Sequence, residues 1–254
     1  MANHGTIIRV SKISKSFGRE RDAQIQVLKD IDLQVETGEF VSILGPTGCG
    51  KTTLLRILSG LESPDSGTID IDSRADGSPS TVGFLFQQHA LFPWMTVEKN
   101  ILFGLHAAGY GKADARQRCS ECLHLVGLPD CAHTYPYEIS GGMQRRAALA
   151  RTIAPRPDVI LMDEPFSALD IATARLLYDE ILDMRRRERI TGIFVTHNIE
   201  EAVFLASRVI VMASSPGRFV ADAPIDLPHP RDRLSEPFIG KMLQVRNYFE
   251  KGNL

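Results

Sequence analysis

The sequence predicts an α/β fold built on a mainly parallel β-sheet. Short apolar runs such as Phe40–Leu44 and Val159–Met162 are typical of buried strands. They alternate with longer segments whose apolar residues recur at helical spacing, and a glycine-rich loop joins the first buried strand to a helix that begins at Lys51. Strands that alternate with helices indicate a parallel sheet with helices packed on its faces.

The remaining elements follow from the same two patterns. Strands are predicted around residues 7–10 and at Val27–Val35, Phe40–Leu44, Thr68–Ile71, Thr81–Phe86, Val159–Met162, Ile193–Thr196 and Val209–Ala213. Helices are predicted at Lys51–Ser59, Met143–Ile153, Ala172–Arg187 and Ile199–Ala206. The polar segment Ser73–Ser80 is interpreted as the loop of a hairpin. From Thr96 to about Pro136 the apolar period is helical, which predicts a helical subdomain inserted in the α/β core.

Length and charge limit the possible classes of protein. The 254 residues suit one domain with an inserted subdomain, so we expect a single domain over residues 1–254 with the helical subdomain at about 96–145. The formal net charge of -2 gives no broad electrostatic basis for binding nucleic acid. No apolar run approaches the roughly 18 to 20 residues that a membrane span requires. We therefore expect any membrane association to come through a partner protein.

The four cysteines do not suggest a disulfide framework in a chain of this length. Cys119, Cys122 and Cys131, with two histidines nearby, could be interpreted as a zinc site. The spacing of Cys119 and Cys122 also fits one face of a helix, where cysteine packs as a small apolar residue. Packing is the favoured interpretation.

The strongest single signal is a phosphate-binding loop between the strand Phe40–Leu44 and the helix that follows it. The segment satisfies the pattern G-x-x-x-x-G-K-[ST] in full. Its glycines let successive backbone N–H groups face phosphate oxygens, and the helix N-terminus and the lysine add positive charge. The residues expected to bind nucleotide here are Gly45, Pro46, Thr47, Gly48, Cys49, Gly50, Lys51, Thr52 and Thr53.

Two carboxylates end the predicted strand Val159–Met162. Asp163 and Glu164 should lie at the carboxyl edge of the sheet, where open α/β proteins bind their ligands. Asp163 can reach Mg²⁺ through its water shell, and Glu164 can polarise a water for attack on a γ-phosphate. Without its sequence context, the pair Asp163 and Glu164 is as compatible with a solvent-exposed turn as with a hydrolytic site. Together with a phosphate-binding loop it predicts a hydrolytic site.

A second anion-binding segment is predicted at Ser140-Gly141-Gly142, which precedes a helix. A plain helix N-cap is the alternative interpretation. One nucleotide has one γ-phosphate, so two such segments in one chain make sense if chains act in pairs.

The segment Ile139–Gln144 resembles the signature motif of ABC transporter ATPases. Further family motifs appear in the expected order: they are Phe17 after Ser16, Gln87 after Phe86, Ser167-Ala168-Leu169-Asp170, and His197 after Thr196. The resemblance covers essentially the whole chain. It implies a P-loop NTPase of the ABC ATPase type, with a mainly parallel core, an antiparallel β subdomain and an inserted helical subdomain.

The resemblance implies that ATP with Mg²⁺ binds between two subunits. The second subunit is expected to be an identical chain, with a paralogue as the alternative. ATP held by the phosphate-binding loop of one subunit would be covered by Ser140, Gly141 and Gly142 of the other.

The resemblance also implies roles for single residues. Glu164 would orient or activate the water, and His197 would contact the γ-phosphate. Phe17 would stack on adenine. The implied Mg²⁺ ligands are Thr52, Gln87 and Asp163, and Gln87 would in addition sense the transport partner.

Two departures from the family pattern stand in or beside the signature motif. Ile139 replaces the usual leucine and should pack as an apolar residue. Arg145 stands where glutamine is more common and, with Arg146, could change contacts near the dimer interface. Neither is expected to touch the catalytic groups.

Two segments are similar to the nitrate, sulfonate and taurine importer group: Gln87–Asn100, and the tail from Ser215 to Arg233. This implies transmembrane permease subunits, a solute-binding protein acting indirectly, and a location on the cytoplasmic face of the membrane. Phe92 and Trp94 would meet the permease, or would merely pack the helical subdomain. A soluble or exporter-associated ABC ATPase is the alternative function, and a small-molecule P-loop kinase is disfavoured because it would not need Ser140–Gly142.

Overall fold

The computed structural model of the chain describes residues 5–18, 24–74, 77–88, 91–167, 169–188 and 190–252. Its strands, in chain order, are β1 (Thr6–Phe17), β2 (Ile25–Glu36), β3 (Phe40–Leu44), β4 (Ser66–Ile71), β5 (Val82–Leu85), β6 (Val159–Asp163), β7 (Thr191–Thr196), β8 (Arg208–Ala213) and β9 (Arg218–Pro224). Its helices are α1 (Lys51–Leu58), α2 (Val97–Ala107), α3 (Lys112–Leu125), α4 (Gly141–Ile153), α5 (Ile171–Glu188), α6 (Ile199–Leu205) and α7 (Glu236–Gly252). Two compact units are present: Met1–Ser80 with Thr191–Leu254, and Thr81–Ile190.

The first unit contains an antiparallel sheet with the strand order β2-β1-β4. In β2, Ile31, Leu33 and Val35 are buried, and the residues between them are exposed. This period of two is typical of a strand with one face on a core and the other in water. The antiparallel β subdomain implied by the family resemblance is confirmed.

The first unit also contains the parallel strands that carry the phosphate-binding loop. Here β7, β3 and β8 are parallel neighbours, and β9 runs antiparallel beside β8. Every residue of β3 and β7 is buried. Parallel strands covered on both faces have continuous apolar runs, which is why their position could be predicted from sequence.

In the second unit, β5 and β6 form a parallel pair, and α4 packs against α2, α3 and β5. Helix α4 approaches β5 closely at Gly83, where a Cβ would lie 3.1 Å from the Thr152 Cγ2 atom. The helical segment predicted from Thr96 to Pro136 is formed by α2 and α3 with short 3₁₀ turns at Pro129–Cys131 and Pro136–Glu138. In the described part of the chain, no helix combines the length and the apolar character needed to span a lipid bilayer.

The prediction of a hairpin around Ser73–Ser80 is wrong. Strand β4 pairs with β1, whereas β5 pairs with β6. The apolar pattern identified both strands, but it carries no information on which strand each one pairs with. Strand β9 and helix α7 were not predicted.

The cysteines on α3 are buried, as expected for packing residues. Cys119 and Cys122 are each 1% exposed. Burial, followed by the nearby Glu98 and Cys122, raises the pKa of the Cys119 thiol to about 12, so this thiol stays protonated at neutral pH. Among the described residues, no three metal-binding side chains of the His, Cys, Asp or Glu type cluster together.

A buried arginine fixes the C-terminal segment of the first unit to α6. Arg231 is 8% exposed. Its guanidinium donates to carbonyl oxygens at and beyond the C-terminal end of α6, those of Val203, Phe204 and Ala206, and to those of Leu227 and Ile225. The positive charge also suits the negative end of the helix dipole.

Arg231→Met is expected to lower the free energy of unfolding by about 3 kcal/mol, because buried carbonyls would lose a charged donor. Thermal denaturation measures this loss. Lys241→Met is the matched control, since Lys241 makes an exposed bond to the Pro224 carbonyl at 3.1 Å. Equal melting temperatures for the two variants would contradict the role of Arg231.

Candidate functional site

The register of two parallel strands places the phosphate-binding loop beside His197. Leu44 of β3 lies opposite Thr196 of β7, and both strands end there. The first residue of the loop is bonded to the end of the second strand, because the Gly45 N–H donates to the Thr196 carbonyl at 3.3 Å. The loop and His197 therefore lie at the same edge of the sheet.

Three glycines of the loop are required for different reasons. A Cβ on Gly45 would lie 2.6 Å from Cys49 Sγ, so the position has no room for a side chain. Gly48 has a φ of +82°, which favours glycine even though the space around it is open. Gly50 combines both constraints, with a φ of +101° and a Cβ that would lie 2.7 Å from Leu28 Cδ2.

The Lys51 ammonium is held inside the loop. The residue is 5% exposed, and Nζ donates to the carbonyls of Gly45 and Pro46 at 2.8 Å each. Cys49 Sγ lies 3.9 Å from the same nitrogen, and burial raises the pKa of this thiol. The loop thus presents a buried cation, bonded to main-chain oxygens that phosphate oxygens can replace.

The start of α1 has the features of an anion-binding helix N-terminus. The N-cap is Gly50, no side chain caps the helix, and its first turn contains no acidic residue. Thr52 and Thr53 lie half-buried in that turn, and Thr47 and Gly48 form the exposed part of the loop. The helix dipole adds about half a positive charge at this end.

The segment around Gly217 fills the space behind the loop. The Gly217 N–H donates to the Val27 carbonyl at 2.9 Å, and the Gly217 carbonyl accepts from the Lys29 N–H at 3.0 Å. A Cβ at Gly217 would lie 2.1 Å from the Cys49 carbonyl oxygen. The loop is therefore in direct contact with strand β2 and with the tail motif Ser215–Arg218.

His197 is exposed on the short connection between β7 and α6, which is held by several hydrogen bonds. Asn198 caps α6 by accepting from the N–H groups of Glu200 and Glu201 at 2.9 and 3.3 Å. Thr196 Oγ1 donates to Glu201 Oε2 at 2.6 Å. These bonds fix the main chain on both sides of His197.

Phe17, the residue expected to stack on adenine, ends β1. Its side chain is 44% exposed, and Lys15 Nζ lies 5.2 Å from the ring centroid. The ring is accessible for stacking, and its role in nucleotide binding stays a prediction.

The second unit brings Gln87 and Glu164 together. Leu85 of β5 lies opposite Met162 of β6, so the residues that follow both strands lie at one edge. Gln87 Nε2 donates to Glu164 Oε2 at 3.3 Å. Asp163, at the end of β6, is 3% exposed.

Glu164 has a left-handed backbone conformation, with a φ of +44°. This region is unfavourable for residues other than glycine, asparagine and aspartate, and such strain is concentrated at functional sites. Pro165 follows directly and further restricts the conformation of Glu164.

Arg145 bonds the main chain of the predicted catalytic residue Glu164 and of four other residues, although the sequence predicted only an effect near the dimer interface. The residue is 1% exposed and lies on α4. Its guanidinium donates to the carbonyls of Phe86, Gln87 (2.9 Å), Asp163 (2.9 Å), Glu164 (2.7 Å) and Pro165 (2.9 Å). No local sequence pattern indicates these contacts; the signal was the arginine itself, at a position where the family more often has glutamine.

The signature segment begins α4. Ser140 is the N-cap, and its Oγ accepts from the Met143 N–H at 3.3 Å. Ser140 and Gly141 are exposed, whereas Gly142 is half-buried. Ile139 is 9% exposed, which confirms its prediction as a packing residue.

The segment Ser167–Asp170 follows Glu164 in the same unit. Ser167 Oγ donates to the Glu164 carbonyl at 2.9 Å. Asp170 accepts from the N–H and the hydroxyl of Thr173, bonds that lower the pKa of the Asp170 carboxyl. Ala168 lies outside the described residues.

A family model for ABC transporters matches residues 28–167, more than half of the chain. The chain belongs to the ABC transporter family. It is an ATPase of the ABC type, a protein that binds and hydrolyses ATP. The α/β fold with a P-loop and an antiparallel β subdomain, predicted from sequence, is the fold of this family.

Named relatives of this ABC ATPase match it over most of its length. It is 40% identical over 250 residues to the aliphatic sulfonates import ATP-binding protein SsuB of Bacillus cereus, a match that covers 97% of each chain. It is 42% identical over 222 residues to the nitrate import ATP-binding protein NrtD of Synechocystis, covering 87% of this chain and 83% of that protein.

A solved structure has the same fold as this ABC ATPase. The dimeric post-hydrolysis state of the ATP-binding cassette MJ0796, bound to ADP and Pi, superposes with a TM-score of 0.77 at 30% identity. The match covers 87% of this chain and 100% of that chain.

The predicted site residues of the ABC ATPase fall into two sets, one in each unit. The first unit brings together the phosphate-binding loop and His197. The second brings together Gln87, Asp163 and Glu164. Arg145 joins the second set, and prediction from sequence had missed it.

Proposed function

We propose that this chain is the ATP-hydrolysing motor subunit of an ABC importer for nitrate, a sulfonate, taurine or a similar small solute. The observation that carries the proposal is the near full-length similarity to SsuB, a sulfonate import ATPase by name, with NrtD as a second import relative. The subunit would act on the cytoplasmic face of the membrane, bound to a permease that receives solute from a binding protein. Residues 1–254 would act as one ATPase domain, with residues of about 96–145 as its helical subdomain.

The phosphate-binding loop would bind the ATP phosphates. Lys51 would exchange its bonds to the Gly45 and Pro46 carbonyls for bonds to phosphate oxygens. The exposed ring of Phe17 would stack on the adenine.

The proposed metal ligands suit Mg²⁺. The Thr52 hydroxyl, the Gln87 side-chain carbonyl and the Asp163 carboxylate are hard oxygen donors, which Mg²⁺ prefers. Gln87 keeps its oxygen available, because the bond to Glu164 is made by its nitrogen. When bound, Mg²⁺ would neutralise charge on the phosphate oxygens.

Hydrolysis would depend on Glu164 and His197. Glu164 would orient or deprotonate the attacking water, a role for which a carboxylate held in a fixed backbone conformation is suited. His197 would donate to the γ-phosphate from its exposed position after β7.

A second copy of the chain would complete each site. Ser140 and Gly141 are exposed at the positive end of α4, so they are accessible to a phosphate bound by another subunit. Together with Gly142 they would cover the nucleotide on the partner, which makes the dimer dependent on ATP.

An aromatic cluster in the second unit is the proposed permease contact. Phe92 packs against Trp94 and Phe103 with ring centroids 5.4 and 5.1 Å apart, and the Arg151 guanidinium lies over the Phe92 ring. Trp94 is 69% exposed and Phe103 is 51% exposed. Exposed aromatic residues of this kind are frequent anchors of protein interfaces.

Affinity purification of the native chain from solubilised membranes tests the proposal. We expect a multi-span permease to co-purify, and the assembly in proteoliposomes to take up labelled nitrate, taurine or an alkanesulfonate when ATP and the binding protein are supplied. Recovery of soluble partners alone, with ATPase activity intact, would overturn the importer function and favour a soluble ABC ATPase.

Trp94→Ala is expected to lower the amount of co-purified permease by at least about tenfold, because an exposed aromatic anchor would be lost. ATP hydrolysis by the subunit alone should stay unchanged. Leu176→Ala is the matched control, since Leu176 is 64% exposed on α5 and has no proposed partner. Undiminished permease recovery with Trp94→Ala would show that the cluster only packs the helical subdomain.

A further inference from the structure

We propose that Arg145 is a positioning residue for ATP hydrolysis, which sets the relative position of Gln87 and Glu164 by holding the main chain at both. The inference rests on the proposed roles of these two residues. Arg145 itself is not a catalytic residue, because its hydrogen bonds are to main-chain oxygens.

The first observation is that the guanidinium is fully used. Arginine has five N–H donors in a fixed planar arrangement. In Arg145, Nε donates to Pro165, Nη1 to Phe86 and Gln87, and Nη2 to Asp163 and Glu164. One rigid group therefore joins two segments that are far apart in sequence.

The second observation is where the strands end. The β5–β6 ladder runs to the pair Leu85 and Met162. Phe86 and Gln87 lie beyond β5, so strand pairing does not fix their carbonyls. Arg145 bonds these carbonyls and those around Glu164, and thus continues the connection between the two segments past the end of the ladder.

The third observation is the strained backbone at Glu164. Its φ is +44°, and Arg145 bonds the carbonyls of Asp163, Glu164 and Pro165, which lie on both sides of the strained residue. A left-handed conformation at a non-glycine residue persists where the surroundings hold it in place. The Glu164 side chain then meets Gln87 Nε2 at 3.3 Å.

The charge of Arg145 suits this role at neutral pH. Burial lowers the pKa of its guanidinium to about 10, and the nearby Asp163 and Glu164 oppose that shift. The group remains protonated under physiological conditions, so it holds the main chain without acting as a pH switch.

A series of substitutions at Arg145 tests the inference on the full-length chain. Lysine keeps the charge but has three donors on one nitrogen, glutamine has two donors, and methionine has none. We expect kcat for ATP hydrolysis to fall in the order Arg, Lys, Gln, Met, by at least about tenfold for Arg145→Met. The KM for ATP and the Kd of a fluorescent ATP analogue should change by less than about threefold, because removing a positioning group affects the chemical step rather than binding.

Arg118→Met is the matched control. Arg118 lies in the same unit and donates to the carbonyls of Ile153 and Ala154 at the other end of α4. Both arginines thus connect α4 to other segments of the unit through main-chain carbonyls. Of the two, Arg145 is the one that bonds Gln87 and Glu164. The control should lower thermal stability and leave kcat per nucleotide-binding molecule unchanged.

Two outcomes would overturn the inference: an unchanged kcat in the Arg145 variants, whether or not KM rises, or an equal loss of kcat in Arg118→Met. If Arg145→Met does not fold, the comparison of Arg145→Lys with Arg145→Gln decides the same question. Glu164→Gln is measured in parallel. Full activity of Glu164→Gln would remove the proposed role of Glu164, whereas an inactive Glu164→Gln with normal Arg145 variants would remove the positioning role alone.

Discussion

Glu164→Gln is expected to bind ATP normally and to hydrolyse it at least about a hundredfold more slowly, because an amide cannot accept a proton from the attacking water. The substitution preserves the size of the side chain and its ability to accept a hydrogen bond from Gln87. In the native chain, Gln87 Nε2 lies 3.3 Å from Glu164 Oε2. ATP binding is measured by calorimetry and hydrolysis by release of phosphate in a single turnover.

The same variant should accumulate as a dimer when ATP is present, since the nucleotide that joins two subunits is no longer consumed. Size-exclusion chromatography with and without ATP detects this change. Glu200→Gln is the control, because Glu200 is an exposed carboxylate on α6 that pairs with Arg233 at 3.3 Å. Hydrolysis by Glu164→Gln at the wild-type rate would contradict the catalytic assignment.

Lys51→Met is expected to weaken ATP binding by at least about a hundredfold. One charge pair at about 4 Å contributes roughly 4 kcal/mol at an effective dielectric constant near 20, before the cost of desolvation. Methionine fills a similar volume but cannot bond the phosphates. Titration calorimetry with ATP and Mg²⁺ gives the dissociation constant.

The control for Lys51→Met is Arg56→Met, which removes an exposed cation from the last turn of the same helix, α1. This variant should bind ATP with unchanged affinity. The Lys51→Met substitution also removes the donor that bonds the carbonyls of Gly45 and Pro46, which could lower the stability of the fold. A thermal melt of Lys51→Met is therefore needed to show that the variant is folded. A folded Lys51→Met that binds ATP normally would rule out the proposed role of the lysine.

Local patterns account for the parts of the site that were predicted from sequence. The phosphate-binding loop is defined by glycine and lysine at fixed spacing, and each glycine proved to have a conformational or spatial reason. The nearness of Gln87 and Glu164 could be expected because both follow parallel strands of one unit.

Long-range contacts account for the parts of the structure that were not predicted from sequence. Arg145 bonds residues 18 to 59 positions away in sequence, a distance over which helical period gives no information. Strand β9 was missed because its residues are mostly exposed or half-buried at a sheet edge, and α7 was missed because, among its described residues, Phe238 and Val245 are the buried ones. Strand partners were also unpredictable, which led to the wrong hairpin at Ser73–Ser80.

The contact of Gly217 with the back of the phosphate-binding loop has a thermodynamic consequence. Because Gly217, Leu28 and Val27 leave no space behind Gly50 and Cys49, the loop is already ordered by the packing of its own unit. Its conformational entropy is lost during folding and not a second time when nucleotide binds. Nucleotide affinity should therefore respond to changes at position 217, although Gly217 packs behind the loop and is not among the residues proposed to bind ATP.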